Sequence, residues 1–380
     1  MNPMSEIRGY RVHRRSLLAA ALAAAPAPLA GSELQWVHAT GDGIPLTAEE
    51  YAALLTRLLK SGKTALDSYS RGGCVEALEA RMAELLGKEA AIWMPTGTLA
   101  NHLAVRTLAG TRRRVLVQAE SHLYNDSGDC AQSLSGLHLV PLAPGKATFT
   151  VDDAERAMSA STGGRVNTPI GAIQIESPVR RRLGEKFDFA QLDRICAWAR
   201  QRGIGLHLDG ARIFLESAYS GRPVKEYAFR FDTVYVSLYK YFNAASGAIL
   251  AGPKALLDGM VDTRRMFGGG LNRVWPFAAV ALHFLEGFED RFHSAVKASE
   301  KVIDTLAKDG NFEIERVPNG TNIFHLRTTG VNAPIYQQRL ESAGVSARVP
   351  PGSRFTMQVN ETWLRVPPEE ITARFRRALG

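Results

Sequence analysis

Lys240 stands alone between two apolar runs, in the stretch "VYVSLYKYFNAASGAILAG". Both runs have the composition of buried strands, and an ammonium group is costly to bury beside them. A lysine in this position is either the sign of a wrong strand assignment or a reactive amine that is held partly desolvated. Reactive side chains elsewhere in the chain that would share a site with it decide between the two.

Asp209 and Arg212 form a second group, in the stretch "IGLHLDGARIF". Asp209 ends an apolar strand, where an ionised carboxylate needs a partner. Arg212 follows after two small residues and offers a planar, two-pronged donor of the kind that binds carboxylates. The pattern indicates a polar site at the end of a buried strand.

Two further segments place polar groups directly after strands. Gly97 and Thr98 begin a helix in "PTGTLAN", where free backbone N–H groups and a hydroxyl would bind a phosphate. An ordinary helix cap is the alternative interpretation. His122 follows the strand in "RRVLVQAESHLYNDSG", although a single histidine is more often structural than functional.

The elements that must position these residues alternate between strand and helix from "AAIWM" to "GAILAG". This alternation predicts an α/β fold with a large, mostly parallel sheet that helices cover on both faces. Ligands bind at the carboxyl ends of strands in such sheets, and all four segments fall there. Pyridoxal 5′-phosphate requires four such groups. They are a lysine for the Schiff base, an acid for the pyridinium nitrogen, a helix start that binds the phosphate, and a ring that lies on the face of the cofactor. We therefore predict this cofactor.

The flanking segments predict the domain organisation. "PLTAEEYAALLTRLLKSG" begins with a capping box, and "VEALEARMAELLG" is a second amphipathic helix that ends at Gly87. A long helical segment is predicted over residues 275–308, before a small C-terminal α+β domain. We assign residues 31–285 to an N-terminal arm and the large cofactor-binding domain, and residues 286–380 to the linking helix and the small domain.

Residues 1–30 predict an export signal. A twin arginine, Arg14-Arg15, precedes a short apolar run and then small residues and prolines, which is the plan of a twin-arginine signal. The apolar run is too short to span a bilayer permanently, and a disordered Ala/Pro tail is the alternative. The expected location is periplasmic or exported, and cytoplasmic if the signal does not function.

The composition of the chain restricts the classes of partner and of site that we expect. The chain has 380 residues, of which 45% are hydrophobic, and a formal net charge of +8. Lys and Arg form no block with interleaved aromatic residues, so we expect a small molecule and no nucleic acid as the partner. Cys74, Cys130 and Cys196 are far apart, which predicts neither a metal site nor a disulfide framework.

With these motifs the chain resembles the threonine aldolase / aromatic amino acid β-eliminating lyase family of fold-type-I pyridoxal phosphate enzymes. The resemblance covers about residues 35–380 and rests on "ALEARMAELLGKEAAIWMPTGTLAN", "ESHLYNDSG", "LHLDGARIF", "RRMFGGGLNR" and the setting of Lys240. It implies the aspartate aminotransferase fold type I and a homodimer or homotetramer with sites at the interface. In this family pattern, Lys240 carries the Schiff base with the cofactor.

The resemblance also implies roles for the other site residues. Gly97 and Thr98 would hold the cofactor phosphate. His122 would stack on the ring and take part in proton transfer. Asp209 would meet the pyridine nitrogen, and Arg212 would bind the substrate carboxylate.

Further residues are matched less closely. Arg273 in "GGGLNR" would reach a cofactor phosphate, across the dimer interface. Thr40 in "VHATGDG" stands where a serine would contact the substrate carboxylate, and Tyr69 is kept in "SYSRGGC" as a substrate-binding residue. The C-terminal arginine for the substrate carboxylate is Arg365 in "WLRVPPEE", with Arg354 as the second choice.

The surroundings of Lys240 depart from the family pattern of Ser-Lys-Gly-Leu-Gly. Tyr239 replaces the serine, and Tyr241 and Phe242 replace small residues. These aromatic side chains would suit a substrate with a bulkier β-substituent.

The expected reaction is cleavage of the Cα–Cβ bond of a β-hydroxy-α-amino acid to glycine and an aldehyde, a carbon–carbon lyase reaction. His122, or a water that it holds, would accept the proton of the β-hydroxyl. β-Elimination or transamination with the same cofactor is the first alternative. A non-catalytic binding protein that keeps the fold is the second, and a structural envelope protein without cofactor is the third.

Overall fold

A computed structural model describes residues 35–348 and 351–380 of the chain. The predicted export signal, residues 1–30, lies outside the described residues and stays a prediction. Within the two described ranges, no helix combines the length and the apolar character that crossing a bilayer requires.

The strands form three sheets. In chain order they are β1 (Val37–His38), β2 (Ala90–Met94), β3 (Arg114–Gln118), β4 (His138–Leu142), β5 (Ile170–Glu176), β6 (Gly205–Asp209), β7 (Thr233–Ser237), β8 (Ala248–Gly252), β9 (Phe312–Arg316), β10 (Ile323–Thr328), β11 (Val345–Ser346) and β12 (Phe355–Gln358). The largest sheet has the order β2-β8-β7-β6-β5-β3-β4. Strand β8 pairs antiparallel with both of its neighbours, and the other pairs in this sheet are parallel. The prediction of a large, mostly parallel sheet is therefore confirmed.

The helices are, in chain order, α1 (Ala48–Lys60), α2 (Gly73–Leu86), α3 (Gly97–Ala109), α4 (His122–Asn125), α5 (Cys130–Ser135), α6 (Val151–Thr162), α7 (Phe189–Gln201), α8 (Ile213–Ser220), α9 (Val224–Ala228), α10 (Lys254–Asp258), α11 (Met260–Met266), α12 (Trp275–Leu285), α13 (Phe288–Ala307), α14 (Ala333–Ser342) and α15 (Pro368–Arg377). Short 3₁₀ turns lie at Arg180–Arg182 and Glu361–Leu364. Helix α1 begins with the predicted capping box, and α2 ends at Gly87, whose φ of 62° suits glycine.

Both faces of the large sheet are buried, as a parallel sheet requires. Alternate residues of a strand point to opposite faces, so Val234 and Val236 of β7 join one apolar core while Tyr235 joins another, with α3. Strands β5, β7 and β8 are buried along their whole length. Polar side chains on these strands are therefore held in place by packing.

The C-terminal part has a core of its own. Strands β12, β10 and β9 form an antiparallel sheet in that order, and α13 and α15 pack with it. Strand β1 pairs in parallel with β11, and Val37 belongs to this same core. The N-terminal arm, which was assigned to the large domain, thus joins the C-terminal part at Val37–His38.

The predicted long helical segment over residues 275–308 is confirmed. It is two helices, α12 and α13, because Gly287 adopts a left-handed φ of 65° between them. The predicted domain boundary at 285/286 coincides with this break.

Glu216 of α8 is a fully buried carboxyl group. Its Oε2 accepts a hydrogen bond of 2.6 Å from Ser177 Oγ. Burial raises the pKa of Glu216 to about 7. Since the unfolded chain releases this proton near pH 4.5, the folded state loses stability as the pH rises from there through about 7.

We predict that Glu216→Gln removes this pH dependence, since an amide keeps the acceptor for Ser177 and does not ionise. The free energy of unfolding of the variant minus that of wild type should become more positive from pH 5 to pH 8, measured by urea unfolding. The exposed Glu313→Gln serves as the control and should show a constant difference. An equal difference for Glu216→Gln at both pH values would contradict the prediction.

Candidate active site

The carboxyl edge of the seven-stranded sheet borders a cavity of about 1110 Å³. Strand register brings Glu176 of β5, Asp209 of β6 and Tyr235 of β7 into one row at this edge. Among the residues predicted for the site, those that line the cavity are Thr40, Gly97, Thr98, His122, Asp209, Arg212 and Lys240. The fold therefore brings together segments that are far apart in sequence.

Lys240 lies in the loop between β7 and β8, residues 238–247, which we call the lysine loop. Asn243 adopts a left-handed φ of 53°, which asparagine tolerates better than most residues, and its Oδ1 accepts a bond of 2.8 Å from the Ile44 backbone N–H. A Cβ on Gly43 would lie 2.2 Å from the Lys240 carbonyl oxygen, so only glycine fits there. Residues 37–47, which we call the N-terminal segment, thus pack against the lysine loop and restrain it.

Two of the aromatic residues beside the lysine are core residues. Tyr241 and Phe242 are fully buried, and their rings pack on each other and on Phe288, with centroid distances of 4.6 to 5.2 Å. Tyr239, by contrast, lines the cavity and is half exposed. The prediction that Tyr241 and Phe242 shape a substrate pocket is wrong, because these rings anchor the lysine loop to the interior.

The amine of Lys240 is poised for nucleophilic chemistry. Its Nζ donates to the Tyr239 hydroxyl over 3.3 Å and lies 6.0 Å from the centre of the Tyr235 ring. Burial, and next the nearby Arg212 cation, lower the pKa of Lys240, although Tyr239 and Asp209 oppose this effect. A lowered pKa increases the fraction of neutral amine, the form that attacks a carbonyl.

Asp209 is 2% exposed, and protein donors hold both of its oxygens. Oδ2 accepts a bond of 2.6 Å from Asn101 Nδ2, and Oδ1 accepts one of 3.2 Å from the Ala211 backbone N–H. These donors support a carboxylate without neutralising it, because neither carries a charge.

Arg212 forms an ion pair that the sequence did not reveal. Its Nε donates to Asp42 Oδ2 over 2.8 Å, and Asn322 Nδ2 donates to the other oxygen of Asp42 over 3.3 Å. Burial alone would lower the pKa of Arg212, but the Asp42 carboxylate raises it above its usual value. Asp42 occupies the Nε side, so the terminal nitrogens of the guanidinium are the part that remains for a ligand.

Glu176 and His122 are connected at the cavity wall. Glu176 Oε2 accepts a bond of 2.6 Å from the His122 backbone N–H, and Oε1 accepts one of 2.8 Å from that of Arg180. Burial, and next the Asp209 carboxylate, raise the pKa of Glu176 to about 7. Burial lowers the pKa of His122, which keeps its imidazole neutral and able to accept a proton.

Sequence reasoning missed Glu176, although a signal was present. "IQIE" ends an apolar strand with an acid, as "LHLD" does at Asp209. Asp42, in contrast, lies in the loop "ATGDG" without any pattern that distinguishes it. Only the tertiary contact with Arg212 reveals its place.

The start of α3 combines the two interpretations made from sequence. Thr96 is the N-cap, and its side chain accepts a bond of 3.1 Å from the Leu99 backbone N–H. The cap therefore leaves the N–H groups of Gly97 and Thr98 for a ligand at the cavity. A Cβ on Gly97 would lie 2.0 Å from the Tyr235 hydroxyl oxygen, so this close approach requires glycine.

Four predicted site residues do not line this cavity. Tyr69 is exposed, with the Arg265 guanidinium 5.6 Å from its ring centre, and its backbone N–H donates to Asn272, beside the exposed Arg273. Arg365 donates to the Trp36 carbonyl over 3.0 Å. The fourth, Arg354, forms an exposed ion pair of 2.8 Å with Glu315.

Residues 63–329 match the model of the beta-eliminating lyase family. The chain belongs to this family. The family resemblance that the motifs indicated is therefore confirmed.

Individual relatives differ in what they are named for. The low specificity L-threonine aldolase of Saccharomyces cerevisiae is 31% identical over 207 residues, which are 54% of this chain and 53% of that protein. An alanine racemase of Cochliobolus carbonum is 33% identical over 205 residues, 53% of this chain and 52% of that protein. The matched region thus spans about half the length of these curated relatives.

A solved structure from Listeria monocytogenes, named as a candidate L-allo-threonine aldolase, has a TM-score of 0.75 at 24% identity. The match covers 91% of this chain and 96% of that one. A likeness also exists to the aspartate aminotransferase of Thermus thermophilus, which confirms the predicted fold type I.

The family and the fold imply pyridoxal 5′-phosphate, and the residues of the cavity fit this group. The start of α3 offers free N–H groups where a Cβ is excluded. Asp209 supplies a buried carboxylate, and Lys240 supplies an amine of lowered pKa on the same cavity. These are the donors and acceptors that a phosphate, a pyridinium nitrogen and an aldehyde need.

We predict that Gly97→Ala weakens binding of pyridoxal 5′-phosphate at least about tenfold, because the new methyl group displaces Tyr235 or the helix start. The dissociation constant is measured by absorbance titration of the purified protein. Gly259→Ala is the matched control, since a Cβ there meets nothing within 4 Å. Equal affinity of the Gly97→Ala variant and wild type would remove α3 from the cofactor site.

Proposed function

We propose that the chain is a pyridoxal-phosphate-dependent lyase that cleaves β-hydroxy-α-amino acids to glycine and an aldehyde. The observation that carries the proposal is the single cavity on which Lys240, Asp209, Arg212 and His122 meet the start of α3. The relatives named as threonine aldolases support this reaction among those that the cofactor permits.

When bound, pyridoxal 5′-phosphate supplies an aldehyde for the amine and an electron-accepting ring that takes up the electron pair of the broken Cα–Cβ bond. The carboxylate of Asp209 would stabilise positive charge on the ring nitrogen. Gly97 and Thr98 would bind the phosphate through backbone N–H groups at the positive end of α3. Lys240 would provide the amine that holds the cofactor.

Arg212 binds the carboxylate of the amino acid with its terminal guanidinium nitrogens. The bond to Asp42 restrains the rotation of the side chain, so the substrate carboxylate is held in one direction. A substrate carboxylate held in one direction would fix the orientation of the bonds at Cα and so would select the bond that is broken.

His122 accepts the proton of the substrate β-hydroxyl. Its Nδ1 lies 3.3 Å from Ser127 Oγ, and that hydroxyl also donates to the His122 carbonyl over 3.1 Å. A hydroxyl that donates to the carbonyl accepts from Nδ1–H, which leaves Nε2 as the proton acceptor. Loss of the hydroxyl proton with cleavage of the Cα–Cβ bond releases the aldehyde, and a proton that takes the place of Cβ on Cα gives glycine.

The first test is the absorbance spectrum of the protein with pyridoxal 5′-phosphate, together with an aldehyde assay on L-threonine, L-allo-threonine and β-phenylserine. Wild type should show a visible band and release aldehyde. Lys240→Ala should lose both, while Lys254→Ala, which removes an exposed lysine paired with Asp258, should keep both.

The products decide between this reaction and its rivals. A keto acid with ammonia would identify elimination or transamination, and exchange of alanine enantiomers would assign the racemase reaction for which one relative is named. A visible band with no turnover would indicate a binding protein. Absence of the band after reconstitution would overturn the cofactor and with it the enzyme.

We also propose that the chain forms at least a homodimer. A patch of exposed apolar side chains adjoins Arg273: Leu66 at 56%, Tyr69 at 52%, Met266 at 65% and Leu271 at 38% exposure. The loop between α11 and α12, which carries Leu271 and Arg273, packs closely on α3. A Cβ on Gly269 of this loop would touch Leu99 of α3. Burying such a patch between two copies would place Tyr69 and Arg273 at the interface, which is where the family resemblance predicts Arg273 to act.

The double variant Met266→Asp, Leu271→Asp should therefore shift the molar mass in solution to that of the monomer, because charges oppose burial of the patch. Size-exclusion chromatography with light scattering measures this mass. Val166→Asp, which changes an exposed apolar residue outside the patch, should leave it unchanged. A monomeric wild type would refute the dimer.

A further inference from the structure

A line of buried polar side chains runs away from the cavity behind Asp209. Asn101 Nδ2 donates to Asp209 Oδ2 over 2.6 Å, and Asn101 Oδ1 lies 2.8 Å from His207 Nε2. His207 Nδ1 lies 2.8 Å from Thr233 Oγ1. Asn101, His207 and Thr233 have no exposed surface. None of them lines the cavity, so the proposed reaction does not use them directly.

The fold dictates this line. His207 and Asp209 are two residues apart on β6 and so project from the same face, toward α3. Thr233 is the register partner of His207 on β7. Asn101 of α3 lies against both β6 side chains, and its amide joins them.

The line has a definite polarity. A carboxylate only accepts, so the amide must turn its Nδ2 to Asp209 and its Oδ1 to His207. Burial lowers the pKa of His207 to about 3, so the imidazole is neutral and carries one N–H. That proton must be on Nε2 to donate to Asn101, and Nδ1 then accepts from the Thr233 hydroxyl.

The opposite arrangement requires a different state of Asp209. With the proton on Nδ1, the amide would donate to Nε2 and present its oxygen to Asp209. Two acceptors would then face each other unless the carboxyl group were protonated. The tautomer of His207 and the ionisation of Asp209 are therefore linked through one amide.

We propose that Asn101, His207 and Thr233 are positioning residues that hold Asp209 as an oriented carboxylate, directed at the ring nitrogen of the cofactor, an assignment that rests on the proposed function. We call these three residues the relay. The relay stabilises the charge of Asp209 with neutral donors, so the full negative charge of the carboxylate is retained for the ring. The three residues act through Asp209 and touch neither substrate nor cofactor.

The first test compares two ligands, pyridoxal 5′-phosphate and its analogue in which a CH group replaces the ring nitrogen. Asn101→Leu should weaken binding of pyridoxal 5′-phosphate about tenfold or more, because the charge-assisted bond to Asp209 is lost. Thr233→Val, at the far end, should weaken it about threefold, and Thr233→Ser should restore it. The affinity for the analogue should stay within about threefold in all variants.

The matched control is Ser135→Ala. Like Thr233→Val, it removes a hydroxyl that contacts a buried histidine, because Ser135 Oγ lies 2.7 Å from Nε2 of His102 on α3. This variant should bind both ligands as wild type does. If Asn101→Leu and Thr233→Val leave the ratio of the two affinities unchanged, the relay does not act through the ring nitrogen and the proposal is overturned.

The second test needs no cofactor. In ¹⁵N-histidine NMR of the wild-type chain, the signal that His207→Gln removes should be that of a neutral imidazole with the proton on Nε2. A proton on Nδ1, or a charged ring, at pH 7 would overturn the relay. This readout also separates the two hypotheses: if wild type binds neither ligand, the proposed function fails, and the tautomer alone decides the relay.

Discussion

The site depends on one constraint, a carboxylate held at the buried end of a central strand. Asp209 is almost inaccessible, and a charge there is tolerable only if donors are built around it. Those donors come from the turn between β6 and α8 and from α3, so the packing of α3 on the sheet is part of the electrostatics of the site. The same helix presents its first N–H groups to the cavity, which couples the carboxylate to the phosphate end.

Charge balance explains the other side chains of the cavity. Asp42 compensates Arg212, whereas Glu176 is buried beside Asp209, and burial, and next the Asp209 carboxylate, raise the pKa of Glu176 to about 7. Burial, and next the Arg212 cation, lower the pKa of Lys240, while the Asp209 carboxylate acts in the opposite direction. Side chains with a shifted pKa, namely Glu176, His122, Lys240 and Arg212, are therefore concentrated where proton transfers are proposed.

The lysine loop is rigid for reasons that lie outside the cavity. Buried rings on its far side and the N-terminal segment on its near side restrain it, and Gly43 and Asn243 are the residues that permit this close contact. Strand β1 of the same segment pairs with β11. The N-terminal segment therefore contacts both the C-terminal part and the lysine loop. Asn322 extends this connection to Asp42 and so to Arg212.

The sequence by itself determined the alternating strand and helix order, Asp209 at the end of one strand, Lys240 after the next strand, and the helix start at Gly97. These follow from local periodicity and from the chemistry that strand ends allow. The tertiary structure alone decided which side chains face the cavity. Tyr241 and Asp42 both lie in irregular loops, where no periodicity predicts the direction of a side chain. In the structure Tyr241 is part of the core, and Asp42 is the partner of Arg212. Such contacts join residues that are far apart in the chain, and only the assembled packing determines which of them meet.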